Sequence, residues 1–261
     1  MLRDTVRDMA GLLVATAALW VYHLYARNLP TAALIGVWAA FALVMAAGLF
    51  WRARIRRRAF LHAYVAPLSP LARWLRGGWL LALRQLLLAA VLALLLVVAL
   101  IRTGTTAWLA LLASVPLLAL LQVGVRRALA AHVSAGFLPE LSWRISLALV
   151  GVALFVAVTV IAAHQEYPDF AAVSLERAVW HLVDQENARS DAALTLLQLA
   201  AAKDGLRLWL AQQLMPIPGA ALGQLAGWLV VVAEQALFVW SYLLVCNGIV
   251  IGMNARDRAV A

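Results

Sequence analysis

The sequence predicts an all-α, polytopic membrane protein: a six-transmembrane-helix bundle with a small extracytoplasmic amphipathic-helix segment between helices 5 and 6. Three observations support this fold class. Hydrophobic residues make up 66% of the 261 residues and charged residues 13%, about half the charged share of a typical soluble domain. Several apolar runs reach the roughly 20 residues that a helix needs to cross a bilayer. Arginines gather at the ends of these runs, as in the cytoplasmic loops of membrane proteins.

The apolar runs place five spans in residues 1–163 and a sixth, followed by a short tail, in residues 219–261. The first run follows MLRDTVRD, which mixes Arg and Asp, and a second run begins soon after it ends. This arrangement favours an uncleaved span over a signal peptide, which has a basic n-region and a small-residue cleavage site. The predicted spans are Met9–Ala26, Thr31–Trp51, Trp79–Ile101, Ala107–Val125, Trp143–Ala163 and the run from Gly219 to Gly252.

A cluster of five arginines directly after the second span is the strongest marker of orientation. Basic residues beside a span are retained in the cytoplasm, and an even number of spans returns the C-terminus to the side of the N-terminus. With both termini cytoplasmic, 15 of the 21 basic residues fall in cytoplasmic segments. The net charge of +9 is therefore a topology signal, and we expect no nucleic-acid partner. The anchoring arginines are Arg52, Arg54, Arg56, Arg57 and Arg58.

Composition also bears on localisation. Arginine supplies all but one of the basic residues, and alanine and leucine are abundant, which hints at a bacterial genome rich in G and C. We therefore expect a multi-pass protein of the bacterial inner (cytoplasmic) membrane. The single cysteine, Cys246, lies inside the last apolar run, so an intrachain disulfide is impossible.

Residues 164–218, which we call the intervening segment, differ from the rest of the chain. They carry seven acidic and four basic residues and show helical periodicity instead of continuous apolarity. We expect the apolar faces of these helices to rest on the membrane surface, on each other or on a partner. The predicted helices are one around Leu175–Val183, a second at Ala192–Lys203 that Gly205 ends, and a third at Leu206–Leu214.

One face of the last span is unusual. Plotted at about 100° per residue, the only charged residue of the run, Glu234, shares a narrow stripe with small residues spaced by four or seven. Such a stripe lets two helix backbones approach closely in lipid. On sequence alone, packing within the chain and packing against another chain are both open. The small residues of the stripe are Gly219, Gly223, Gly227, Ser241, Gly248 and Gly252.

Glu234 itself has two interpretations. An ionisable group within a span usually faces a bundle interior or a water-filled path, which would suit a carboxyl that handles protons or cations. Alternatively, Glu234 is a neutral, hydrogen-bonded residue that holds a tight helix seam, with Ser114, Thr159 or Thr16 as its partner. No basic residue is expected to reach it, so we favour the neutral packing residue. The nearest arginines, all toward the cytoplasmic side, are Arg84, Arg126, Arg127 and Arg144.

Catalytic chemistry has little support. The chain contains no nucleotide-binding, zinc-protease or nucleophile-elbow motif, so we expect no enzyme activity and no cofactor. His164, Glu166 and Asp169 stand together after the fifth span and are weak candidates for a metal site, or for an interfacial lipid enzyme. His181 and Asp184 share a helix face. For both groups we favour solvated polar residues at the membrane interface.

Two functional hypotheses follow. The first is an integral inner-membrane scaffold or accessory subunit of a larger membrane protein complex. It would dock partners through its outer amphipathic helices and glycine-faced last helix, and contact lipid, other subunits or a second copy. The alternative is a small channel, or a transporter coupled to protons or cations through Glu234. Transporters usually combine broken helices with several buried polar groups at the midplane. Only Pro116 and Glu234 fit that description, so the first hypothesis ranks higher.

Overall fold

A computed structural model describes residues 2–64, 78–134, 137–165, 168–170, 172–214 and 221–260, and over these residues the protein is all-helical. It confirms the predicted fold class, because six of the described helices are long and apolar enough to cross a membrane. A short 3₁₀ turn, Ala26–Asn28, separates the first two helices. In chain order the α-helices are α1 (Leu2–Tyr25), α2 (Thr31–Tyr64), α3 (Trp79–Arg102), α4 (Thr105–Leu129), α5 (Leu138–Ala163), α6 (Leu175–Val183), α7 (Asp191–Leu214) and α8 (Ala221–Val260).

The first five spans agree closely with the predicted apolar runs, whereas the sixth is Leu229–Met253 and the predicted run began at Gly219. Two of the helices are much longer than a bilayer crossing requires. α2 has 34 residues and α8 has 40, which makes them roughly 51 and 60 Å long at 1.5 Å per residue. The hydrocarbon core is only about 30 Å thick. The arginine cluster, expected in a loop, therefore lies on a helical extension of α2. Arginine is a good helix former, and neither Gly nor Pro interrupts this stretch.

The chain forms two compact units. α4 to α7 belong entirely to unit 2, whereas α1, α2, α3 and α8 contribute residues to both units. Unit 1 comprises Met1–Ala15, Ile35–Val97 and Ser241–Ala261, and unit 2 comprises Thr16–Leu34 and Val98–Trp240.

In unit 1, α2 and α8 approach closely through a glycine on each helix. A Cβ atom added to Gly248 would overlap the Val44 carbonyl oxygen and lie 2.8 Å from the Val44 Cγ1. A Cβ atom added to Gly48 would lie 3.2 Å from the Gly248 Cα. Beside this contact, the Arg52 guanidinium donates to the Oδ1 of buried Asn247 at 2.6 Å. Arg52 is therefore a packing residue as well as part of the arginine cluster.

The predicted small-residue stripe thus has a defined role at one position, Gly248, which packs within the chain. Ser241 is fully buried, whereas a Cβ on Gly252 would meet nothing within 4 Å. Gly219 lies outside the described residues, and the surroundings of Gly223 and Gly227 are not described. A contact between this part of the stripe and another chain therefore stays a prediction.

In unit 2, an aromatic cluster ties α1, α3 and α4 together. The Trp20 and Trp108 rings meet edge to face with centroids 5.0 Å apart, and the His23 ring lies 5.2 Å from that of Trp108. The Nδ1 atom of His23 is 2.8 Å from the carbonyl oxygen of Leu100, close to the end of α3. Trp108 is fully buried. These contacts hold together the ends of α1, α3 and α4. The intervening segment is attached beside these ends.

The intervening segment forms two helices, α6 and α7, where the sequence suggested three. α6 matches the prediction: it begins at Leu175, and the Oγ of the N-cap Ser174 accepts the backbone N–H of Arg177 at 3.4 Å. Gly205 does not end a helix, which corrects the prediction: α7 runs through it without interruption. A Cβ at Gly205 would lie 2.9 Å from the Val179 Cα and 3.1 Å from the Ala178 carbonyl oxygen. Glycine is needed here because the α6 backbone lies against it.

This contact makes the effect of Gly205→Ala predictable. In an open helix, alanine is favoured over glycine by about 0.8–1 kcal/mol. At Gly205 the overlap with α6 should reverse the sign, and we expect a loss of about 1–3 kcal/mol in unfolding free energy. Unfolding by SDS in mixed micelles measures it. The control is Gly124→Ala in α4, where a Cβ meets nothing within 4 Å. Equal stability of the two variants would contradict the close α6–α7 contact.

Candidate functional site

Seven charged side chains of unit 2 form a connected group, which we call the charged network. They come from four parts of the chain: the ends of the first and third spans, the intervening segment, and α8. None of the predictions brought these residues together, although Glu234 was singled out on its own. The members are Arg27, Arg102, Glu186, Lys203, Asp204, Arg207 and Glu234.

Arg102, the last residue of α3, joins two acidic residues of the intervening segment. Its Nε lies 3.1 Å from Glu186 Oε1, and its Nη1 donates to Asp204 Oδ2. The second oxygen of Glu186 is 3.2 Å from Arg27 Nη2. The planar guanidinium suits this role because it offers several donors in a fixed fork. The end of α3 is thereby attached both to the α6–α7 connection and to the middle of α7.

The start of α7 is held to the turn between α1 and α2. The backbone N–H of Arg189 donates to the Arg27 carbonyl oxygen at 2.8 Å. One residue later, the Ser190 and Thr31 hydroxyls lie 2.7 Å apart. Ser190 is buried and also caps α7, since its Oγ accepts the Ala193 N–H at 3.4 Å. The intervening segment is therefore fastened at several points along its length.

Glu234 has two cationic partners, which corrects the expectation that no basic residue would reach it. Lys203 Nζ lies 2.7 Å from its Oε1, and Arg207 Nη1 lies 2.5 Å from its Oε2. The two cations stand four residues apart on one face of α7, and the uninterrupted helix at Gly205 keeps them there. Ser114, a predicted hydrogen-bond partner, instead donates to the Leu111 carbonyl oxygen of its own helix at 2.6 Å.

Several members of the network lie at the ends of helices that are long and apolar enough to span a membrane. Arg27 and Arg102 belong to the last turns of the spans Met9–Asn28 and Trp79–Arg102, and both contact the intervening segment. Glu234 contacts the same segment and lies near the start of the candidate span Leu229–Met253. About 20 further residues of α8, roughly 30 Å of helix, then lead to the end of the span Leu229–Met253.

Every acidic residue of the network contacts at least two basic ones. Glu186 meets Arg27 and Arg102, Glu234 meets Lys203 and Arg207, and Asp204 contacts three cations. The acidic side chains are largely buried, from 9% exposed for Glu186 to 25% for Glu234. Removing ions from water is costly unless each is paired. The mutual pairing therefore suits a group that positions helices.

The other predicted candidates remain separate from this network. His164 Nδ1 lies 2.9 Å from the Val160 carbonyl oxygen of its own helix, and Glu166 lies outside the described residues. In the part of the chain that the structure describes, no three His, Cys, Asp or Glu residues form a metal-binding group. The His181 Nε2 is 3.0 Å from Gln185 Nε2, and its ring meets that of Phe170 edge-on.

Comparison of this chain with protein-family models, curated proteins and solved structures finds no match. The charged network is the feature of the described residues that bears most directly on function.

Proposed function

We propose that this protein is a non-enzymatic scaffold or accessory subunit of a membrane protein complex in the bacterial inner membrane. The observation that carries the proposal is the charged network, which fixes α6 and α7 to the ends of the spans. A helix pair held in this way is a preorganised surface, and preorganisation lowers the entropic cost of binding a partner. Separating these charges would leave partly buried ions without partners, so the pairing favours one arrangement of the helices.

The orientation is part of the proposal. Thr31, at the start of α2, contacts the intervening segment, whereas Arg52 and Arg54 lie toward the other end of the same helix. The positive-inside rule assigns the arginine-rich end to the cytoplasm. Both termini would then be cytoplasmic, and the intervening segment with the charged network would be extracytoplasmic.

The surface that we propose for a partner is the outer face of α6. Arg177 and Trp180 lie on one side of this helix, three residues apart, and Asp184 follows at its C-terminal cap; all three are exposed. The opposite side, with Ala178 and Val183, is buried. Trp180 is 54% exposed. Tryptophan and arginine are over-represented among the residues that dominate binding at protein interfaces.

The alternative, a channel or ion-coupled transporter that uses Glu234, receives less support from this geometry. Lys203 and Arg207 already occupy both carboxylate oxygens of Glu234, and their positive charges repel a transported cation. Flux in reconstituted liposomes decides the matter. A cation or proton flux that Glu234→Gln abolishes, while the variant remains folded, would replace the scaffold with a transporter.

The scaffold proposal is tested by substitution of Trp180 in the full-length protein, isolated from its native membrane in a mild detergent. We expect a specific membrane protein to co-purify with the wild type. Trp180→Ala should weaken its binding about thirtyfold, as a loss of about 2 kcal/mol implies, and lower its yield accordingly. The control is Trp240→Ala, which removes an equally large side chain with 47% exposure from α8.

The partner should then be cross-linked from position 180 by a photoreactive amino acid. Recovery of the wild type only as a lone monomer would contradict the proposal. So would a partner whose yield falls equally in the Trp180 and Trp240 variants, because the α6 face would then have no special role.

A further inference from the structure

α7 has an exposed apolar side that the charged network does not use. Leu199, Leu206 and Leu210 are 63%, 42% and 41% exposed. Their spacings of seven and four place them on one stripe, which we call the α7 leucine face. The opposite side of the helix, with Ala193 and Leu197 among its residues, is buried. Three large exposed leucines on one side of a helix outside the spans indicate a surface that contacts lipid or another molecule.

The position of this face along the membrane normal follows from the charged network. Lys203 and Arg207 lie within one turn of Leu206, and both contact Glu234 of the sixth span. Asp204, between them, contacts the last residue of α3, Arg102. The leucine face is therefore held at the level where the spans cross the boundary of the hydrocarbon.

The face also continues the exposed surface of α8. Val230 and Leu237, about one turn on either side of Glu234, are 47% and 39% exposed, and both belong to the span Leu229–Met253. The contact of Lys203 with Glu234 connects this surface to the leucine face. Exposed apolar side chains of a span face lipid. Because this surface of α8 adjoins the α7 leucine face, the same lipid would contact both.

The only lysine of the chain, Lys203, fits such a position. It lies between Leu199 and Leu206 in the sequence, and its side chain is 54% exposed. A lysine at a membrane boundary places its alkyl stem along apolar surface and its ammonium group at a polar site. The carboxylate of Glu234 supplies that polar site.

We propose that α7 is an interfacial helix whose leucine face is embedded at the boundary between headgroups and acyl chains of the bilayer. Its 24 residues lie in the plane of the interface, with the leucine face toward the acyl chains and the opposite side packed within the protein. The occupant of the leucine face is lipid, whereas the outer face of α6 points to the aqueous side. This inference does not depend on the proposed accessory role, and each can fail alone.

Site-directed spin labelling of the full-length protein tests the inference. In a Cys246→Ser background, Leu199→Cys, Leu206→Cys and Leu210→Cys are labelled one at a time and reconstituted in vesicles of phosphatidylethanolamine and phosphatidylglycerol. Collision rates with oxygen, which concentrates in the bilayer, are compared with those of a water-soluble nickel chelate. Leu237→Cys is the lipid-facing reference, and Asp184→Cys is the aqueous reference.

We expect the three α7 labels to collide more often with oxygen than with the nickel chelate, as the Leu237→Cys label does. Labels that instead prefer the nickel chelate, as at Asp184→Cys, would overturn the proposal by placing the face in water. Low collision rates with both reagents would overturn it equally, because a second copy or a partner protein would then cover the face. Three labelled positions guard against a single variant that fails to fold.

Discussion

Replacement of Arg102 by glutamine is expected to lower the free energy of unfolding by about 3 kcal/mol, because it leaves two largely buried carboxylates without their shared cation. Glu186 and Asp204 are only 9% and 17% exposed, so water replaces the guanidinium incompletely. Glu186 would retain Arg27, and Asp204 would retain contacts with Lys203 and Arg207. These remaining partners keep the loss below the upper end of the range for a broken buried pair. The measurement is SDS unfolding in mixed micelles, followed by helical circular dichroism.

The matched control for Arg102 is Arg144→Gln. Arg144 pairs with Glu140 at 2.8 Å, but the two side chains are 45% and 54% exposed and stand one turn apart on one helix. An exposed pair of this kind contributes about 0.3–0.5 kcal/mol. Adding Asp204→Asn to Arg102→Gln should recover part of the lost stability, because it removes one of the two carboxylates that lost the guanidinium. A loss at Arg102 no greater than that at Arg144 would contradict the structural role of the charged network.

Gly248→Ala is expected to be the most destabilising of the single-methyl changes, at about 2–3 kcal/mol. The added Cβ would overlap the Val44 carbonyl oxygen and lie 2.8 Å from its Cγ1. A backbone atom of a packed helix cannot rotate away as a side chain can, so α2 and α8 must separate. That movement would also strain the hydrogen bond from Arg52 to Asn247.

Gly252→Ala is the control for this prediction. It lies one turn further along the same helix, yet its Cβ would meet nothing within 4 Å. In an α-helix this change should stabilise the protein by up to about 1 kcal/mol. Unfolding in SDS compares the two variants directly. If Gly248→Ala were as stable as Gly252→Ala, the close α2–α8 contact would be wrong.

The spans could be predicted from the sequence because each depends on a local property. A run of some 20 apolar residues must form a helix in lipid, where every backbone polar group needs an internal partner. The apolar periodicity of Leu175–Val183 likewise predicted α6, because amphipathicity is expressed within one or two turns. No distant residue is needed for either signal.

Gly205 and Glu234 show where sequence reasoning fails. A glycine inside a helical pattern is consistent with a stop and also with close packing, and only the position of α6 distinguishes the two. The partners of Glu234 lie 27 and 31 residues away, on a helix that a stop at Gly205 would have divided. The spacing of Lys203 and Arg207 by four residues was the available signal. This spacing places the two residues on one helix face only if a single continuous helix carries both.

Arg27 and Glu186 illustrate a second reason. They are 159 residues apart in sequence, and no periodicity relates the two. From sequence alone, an arginine at the end of a span is interpreted as an interfacial anchor, and an acidic residue in a loop is interpreted as solvated. Their pairing depends on the tertiary arrangement that brings the α6–α7 connection to the turn after α1.

Hydrogen exchange of the reconstituted protein tests most directly whether the charged network fastens α6 and α7 to the spans. Backbone amides of α7 from Ala193 to Gly205 should exchange slowly in the wild type. In Arg102→Gln the same amides should exchange faster, while those in the middle of α4 and α5 remain unchanged. Fast exchange of α7 in the wild type, or equal exchange in both proteins, would contradict the fastening on which the proposed function rests.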